Sequence, residues 1–348
     1  YLQYGDPAIL EENYPAMKRH IDGMMGMMEP GFQYLTSHIG FLGDHLAVTD
    51  SDPSLMDNAQ FYRSVRIVQQ AAEILGKDGD AEKFRAFGDG LQKEWNAVFI
   101  GEDGRTRDRS GSLQDTQGSY ALPLMCGAFS EGNRPAAEKH LREACEKTGY
   151  TMTTGFMATG PLLPALTEGG NLDAAYAMFE QTGNPSWLYP VVNGATSVWE
   201  RWSSYTIENG FGGQNWMNSF NHYSLGAVGT WMMEYQAGIR RSGTNGFRKF
   251  ILQPMPGGHF SFVSAEYDSV YGTIKSSWTA ADGKLRTYEA TVPANTEAVL
   301  YLPVMEDAVK AFGEIGGASF EGMEMHLGIL TAKFTLKSGR YSFDASGC

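Results

Sequence analysis

Apolar residues recur at helical spacing from Ile9 through Leu10, Tyr14, Met17, Ile21 and Met24 to Met28. Asp6-Pro7 in front of them reads as an N-cap followed by a first-turn proline, and Glu29-Pro30-Gly31 as a stop. The pattern predicts an amphipathic helix of about twenty residues. The same period returns over Asp57–Leu75, Asp80–Phe99 and Asn171–Thr182. Gln114–Phe129 and Gly155–Leu166 are mostly apolar, Arg134–Lys147 is charged, and Ser219–Arg241 closes the helical part. About eight helices result, apolar ones tending to alternate with polar ones. That alternation suits a ring of helical hairpins with buried inner and amphipathic outer members. Periodicity alone fits an irregular bundle equally well.

Beyond Gly246 the period changes to two. Lys249–Gln253, Phe260–Tyr267, Thr273–Trp278, Arg286–Thr291, Ala298–Leu302, Thr331–Leu336 and Arg340–Phe343 read as short strands. Ala281-Asp282-Gly283 reads as a hairpin turn between two of them. Strands at this spacing imply a small antiparallel β-sandwich. The predicted organisation is a helical domain over residues 1–243 and a sandwich over residues 244–348. A tail that acts as an independent binding module is the alternative.

Charge and composition narrow the partners. A formal net charge of −13 argues against a nucleic acid or an anionic membrane surface as partner. Cys126, Cys145 and Cys348 are too few and too scattered for a disulfide framework, and their spacing suits no metal. Cys126 lies in an apolar run and is expected in the core. The run Met24-Met25-Gly26-Met27-Met28 could suggest a soft-metal site, but flexible core filling is the commoner use of such residues. No cofactor or metal is expected.

The densest chemistry lies between Pro185 and His222, which holds Trp187, Trp199, Trp202, Trp216, Glu200 and His222. Indole faces stack on the apolar faces of sugar rings, while carboxylates and imidazoles take hydroxyls or activate water. The mixture suits a carbohydrate pocket. Aromatic core is the plainer reading of the tryptophans, an ion pair with Arg201 that of Glu200, and a satisfied core histidine that of His222.

The words in this stretch resemble those of the α-L-rhamnosidases of glycoside hydrolase family 78. They are Thr153-Thr154-Gly155-Phe156, Leu162-Leu163-Pro164, Pro185-Ser186-Trp187-Leu188-Tyr189-Pro190, Gly194-Ala195-Thr196, Trp199-Glu200-Arg201-Trp202 and Ser219-Phe220-Asn221-His222-Tyr223. Phe41-Leu42-Gly43-Asp44 upstream, and Pro254 to Gly258 with Tyr267 to Gly272 downstream, extend the resemblance over nearly the whole chain.

The resemblance implies an (α/α)6 barrel of twelve helices followed by a β-sandwich. With about eight helices read here, about four are expected to be missing upstream of Tyr1. It also implies inverting hydrolysis of terminal rhamnose from a glycoside or polysaccharide, with two carboxyl groups ~6.5–9.5 Å apart. Glu200 takes the general base's position, and Arg201 beside it would favour the ionised form. The general acid's Asp-Glu-Arg word is not found. His222 matches a histidine that contacts the sugar. Asp44 falls in a Gly-Asp-Trp word whose tryptophan, here His45, stacks on rhamnose, and Trp187 and Trp202 are candidates to replace that stacking. Gln114, Asp115 and Gln117 are either pocket residues or helix-start caps. Two other readings stay open: a silent carbohydrate-binding relative or inactive fragment, and a lyase acting on uronic-acid sugars. The compartment stays open between cytoplasmic and secreted.

Overall fold

The computed structural model describes residues 1–36, 43–211, 217–243, 245–304 and 316–345. Its contacts divide the chain into two compact units. One comprises Pro7–Gly169 with Ala177–Ala227, and the other Tyr1–Asp6, Gly170–Tyr176 and Val228–Cys348.

The first unit is helical. Helix α1 spans Ala8–Met25 and starts one residue later than the sequence suggests, with Pro7 in the capping position. Helices α2 (Pro53–Ile74) and α3 (Asp78–Phe99) pack on each other, and the fully buried Trp95 donates its indole N–H to the Leu55 carbonyl at 3.0 Å. Helix α4 (Gln117–Cys126) packs on α2 and on α6 (Phe156–Glu168), and α5 (Arg134–Lys147) packs on α4. The layers follow from composition. Nearly every residue of α4 is buried, whereas α5 turns outward the i,i+4 pairs Arg134–Glu138 and Arg142–Glu146. Cys126 is buried and free, as expected of a core thiol. Helix α7 (Leu172–Phe179) begins in the Gly170–Tyr176 segment of the second unit, while in the first unit a short α8, Leu188–Val192, falls inside the aromatic stretch.

Three helical expectations need correction, the first being that α2 begins at Pro53, four residues before the expected Asp57. The apolar start at Gln114 is displaced, because Thr116 is the N-cap of α4 and forms a capping box with Ser119. The helix expected over Ser219–Arg241 is shorter. It runs from a 3-10 turn at Ser224–Ala227 through α9 (Val228–Trp231) into a π turn at Met232–Gln236. Its end carbonyls are taken by the sandwich: Trp278 donates to the Gln236 carbonyl at 2.8 Å and Ser276 to that of Ala237 at 2.6 Å. Gly238 then reverses the chain at φ +79°, where a Cβ would lie 1.9 Å from the Gln253 carbonyl oxygen.

Among the described residues, nine strands form the sandwich of the second unit: β1 (Ile239–Arg241), β2 (Lys249–Leu252), β3 (Phe262–Ser269), β4 (Gly272–Ala281), β5 (Lys284–Val292), β6 (Glu297–Pro303), β7 (Ala318–His326), β8 (Ile329–Leu336) and β9 (Gly339–Asp344). One sheet has the order β1-β2-β6-β8-β7 and the other β3-β4-β5-β9. Phe250, Trp278, Tyr288, Leu300, Phe334 and Phe343 fill the space between the two. Asp282 and Gly283, both at positive φ, make the expected hairpin turn. Strand β2 pairs parallel with β6, a departure from all-antiparallel pairing. Strands β1 and β7 were not predicted. The first has three residues, and the second is a largely exposed edge strand without clean alternation.

Asp57 is a buried carboxyl on the second turn of α2, between the buried Met56 and Asn58. Burial, and then the charge of Asp52, push its pKa up to about 7. Ionising it costs more in the folded chain than in the unfolded one, where an aspartate titrates near about 4. Its contribution to stability is therefore full at low pH and is lost as pH rises through about 7. Measured against an Asp57→Asn variant, the parent's thermal midpoint should fall behind progressively over that interval. A gap that stays constant from about pH 4 to about pH 8 would contradict this.

Candidate active site

The candidate residues are organised by the loop over residues 43–52, onto which three helices open. Asp52 caps α2 by accepting from the Leu55 amide at 2.7 Å, and its own amide donates to Gln114 Oε1 at 3.0 Å. The hydroxyls of Ser51 and Thr116 lie 2.7 Å apart, which joins the loop to the cap of α4. Asp44 holds α6. Its Oδ2 accepts from the Gly155 amide at 2.7 Å and its Oδ1 from the Met157 and Ala158 amides at 2.8 and 3.0 Å. These are first-turn donors with no partner inside the helix, at the end where the helix dipole favours an anion. Burial raises the Asp44 pKa, against the pull of the three amides.

The loop lies directly on the start of α6. A Cβ at Gly155 would come within 2.3 Å of the Asp44 and His45 carbonyl oxygens, so glycine is demanded by close approach. The His45 carbonyl accepts from the Phe156 amide at 2.9 Å. The His45 ring stands edge-on to Phe156 at 5.5 Å, and Phe156 stacks on His222 at 4.9 Å.

His222 belongs to the segment Ser219–Tyr223, which is joined to Val198–Glu200 by two backbone hydrogen bonds. The Glu200 amide donates to the Ser219 carbonyl at 2.9 Å and the His222 amide to that of Val198 at 2.9 Å. Glu200 Oε2 accepts from the Ser219 amide at 2.7 Å. The half-buried carboxylate is thereby tied to the segment that carries the histidine. The Ser224 amide donates to His222 Nδ1 at 3.3 Å, which in the neutral imidazole leaves the proton on Nε2.

Tryptophans build the other side of the same segment. Trp187 and Trp202 meet edge to face at 5.6 Å, and their indoles donate to the Leu225 carbonyl at 2.9 Å and the Thr154 carbonyl at 2.7 Å. With Trp199, Val191, Val198 and Arg201 they line a pocket of about 310 Å³. Glu200, Asp44, His45 and His222 are not among its lining residues. The predicted residues thus fall into two groups, an Asp44–His45–His222 group joined by Phe156 and a tryptophan pocket, with Glu200 on the segment between them. Gln117 is a buried clamp, donating to Thr148 and the Thr151 carbonyl and accepting from the Thr153 amide, and Asp115 pairs with Arg105 at 2.7 Å. Trp216, Phe41, Leu42 and Cys348 lie outside the described residues.

Sequence reasoning missed Phe156 as a site residue. The signal was its place inside Thr-Thr-Gly-Phe at a helix start, which reads as ordinary apolar periodicity. Among the described residues no group of three or more His, Cys, Asp or Glu side chains is gathered to hold a metal, and no helix is long and apolar enough to cross a membrane.

Residues 1–236 match the bacterial α-L-rhamnosidase six-hairpin glycosidase domain, and residues 238–314 the bacterial α-L-rhamnosidase C-terminal domain. An α-L-rhamnosidase of Streptomyces avermitilis is 32% identical over 311 residues, which cover 87% of this chain and 28% of the relative. One from Alteromonas sp. is 31% identical over 352 residues, covering 99% of this chain and 36% of the relative. The structure of the S. avermitilis α-L-rhamnosidase complexed with L-rhamnose aligns with TM-score 0.85 at 30% identity, over 99% of this chain and 31% of that one. Native α-L-rhamnosidase from Aspergillus terreus aligns with TM-score 0.79 at 28% identity, over 99% and 37%. The chain therefore spans 28% to 36% of the length of these curated relatives.

Trp202 offers a test of how the tryptophan wall is held. Trp202→Phe keeps a ring but strands the buried Thr154 carbonyl, so the denaturant midpoint should fall by the equivalent of about 1–3 kcal/mol. An unchanged midpoint would show that the indole hydrogen bond does not hold the wall.

Proposed function

The chain belongs to the bacterial α-L-rhamnosidase six-hairpin glycosidase family, and we propose that it carries the water-activating half of a site that hydrolyses terminal α-L-rhamnosyl residues with inversion. The observation that carries this reading is the setting of Glu200. One oxygen is held by the Ser219 amide, on the segment that carries His222, and the other is left to take a proton from water. An inverting base has to be fixed beneath the anomeric carbon, and a carboxylate tied down by a backbone amide meets that need.

In this reading His222 donates from Nε2 to a sugar hydroxyl, since Nδ1 already accepts from Ser224. Asp44 contributes through the helix start that it holds, and His45 takes the place of the stacking tryptophan at the edge of Phe156. Trp187 and Trp202 offer apolar faces to the ligand, their indole N–H groups being engaged by backbone carbonyls. The substrate is a rhamnose-containing glycoside or polysaccharide. The proton donor comes from an upstream part of the same catalytic region, in keeping with relatives roughly three times as long. A silent rhamnose-binding relative is the second reading, favoured by His45 where a tryptophan would stack.

The experiment is release of rhamnose from an aryl α-L-rhamnoside by this chain supplied with the upstream region of its own catalytic domain. Hydrolysis is expected, and Glu200→Gln should lower it by at least about 100-fold. Activity that survives in Glu200→Gln would sink the base assignment. Absence of hydrolysis with retained rhamnose binding would favour the silent binder.

A further inference from the structure

We propose that Phe156, itself set by Asp44, is a positioning residue that fixes the plane of the His222 imidazole for the sugar. The inference deepens the reading above, because it rests on His222 contacting rhamnose. The terminal torsion of a histidine is broad, so the ring plane is set by its neighbours rather than by its own rotamer preference. Here the imidazole is flanked by Phe156 at 4.9 Å and 26° and by Tyr223 at 5.2 Å and 12°. Tyr223 is 87% exposed, so little beyond His222 itself holds its ring. Phe156 is the anchored neighbour.

That anchoring is unusually complete. Phe156 is the first residue of α6, and the amides on both sides of it, Gly155 and Met157, donate to the two oxygens of Asp44. Its own amide donates to the His45 carbonyl, and the absence of a Cβ at Gly155 lets the loop lie against the backbone. His45 closes the edge of the ring. The Asp44 carboxylate is thus connected through two peptide groups and one phenyl ring to the imidazole. A hydrogen bond from Nε2 to a hydroxyl weakens steeply with misdirection, so a ring that holds the imidazole plane contributes to sugar affinity without touching the sugar. The chemical role of Glu200 does not depend on it.

The test compares Phe156→Leu, Phe156→Tyr and Asp44→Asn with the parent chain. Imidazole ¹⁵N NMR reports the tautomer and ring environment of His222, and calorimetry reports L-rhamnose affinity. Phe156→Leu should move the His222 nitrogens away from a single Nε2–H pattern and weaken rhamnose about three- to tenfold. Phe156→Tyr, which keeps the stacked ring, should restore both. Asp44→Asn should shift the nitrogens in the same direction as Phe156→Leu, and it decides the matter if the leucine variant does not fold. An unchanged His222 pattern in a folded Phe156→Leu or Asp44→Asn chain overturns the proposal, and this arm needs no bound sugar. His222→Ala separates the two claims. Unaltered rhamnose affinity there removes the sugar-contact reading, while the nitrogen pattern still judges the positioning.

Discussion

The site depends on one buried carboxylate. Asp44 sits 6% exposed and spends both oxygens on the first amides of α6. Burying an ion would be unfavourable without such partners; three amides at a helix N-terminus are among the best that a backbone can offer. Because the same loop also caps α2 through Asp52 and meets the cap of α4 through Ser51, the starts of three inner-layer helices are joined at one place. Gly118 marks how close the joint is: a Cβ there would lie 2.9 Å from Ser51 Oγ and 3.2 Å from Asp44 Oδ2.

From that joint the chemistry is built outward by short steps. The helix start sets Phe156, the phenyl ring meets His222, and the segment of His222 carries the amide that holds Glu200. The tryptophans stand on the other side of the Glu200 segment and tie their indoles to backbone carbonyls. Their hydrogen-bonding capacity is thereby used internally. In the proposed function, hydroxyl recognition falls to the histidine group and water activation to Glu200.

The legible part of this was periodicity and chemistry-bearing words. Helix α5 could be read to the residue because charged and apolar positions alternate cleanly along Arg134–Lys147. Glu200 and His222 stood out as polar groups inside an aromatic run, and their pairing through Ser219 is the contact that makes them neighbours. Other parts were hidden for physical reasons. The Asp44 role depends on amides more than a hundred positions away, beyond the reach of local pattern. Asp57 reads as a polar helix start, since only the true beginning at Pro53 moves it onto the buried face. Ser219–Tyr223 reads as helix by composition, yet its Ser219 carbonyl and His222 amide bond to the distant Glu200 and Val198 instead of within a helix. The edge strand β7 carries too little burial to leave a period of two.

The central claim is that Glu200 and His222, brought together by the joined segments and held through Phe156 and Asp44, face one rhamnosyl ring. A crystal structure of this chain soaked with L-rhamnose tests it directly. The account requires the sugar to lie with its anomeric carbon over Glu200, a water between the two, and a hydroxyl on His222 Nε2. Rhamnose seated elsewhere, with Glu200 and His222 both out of reach of it, would contradict the account.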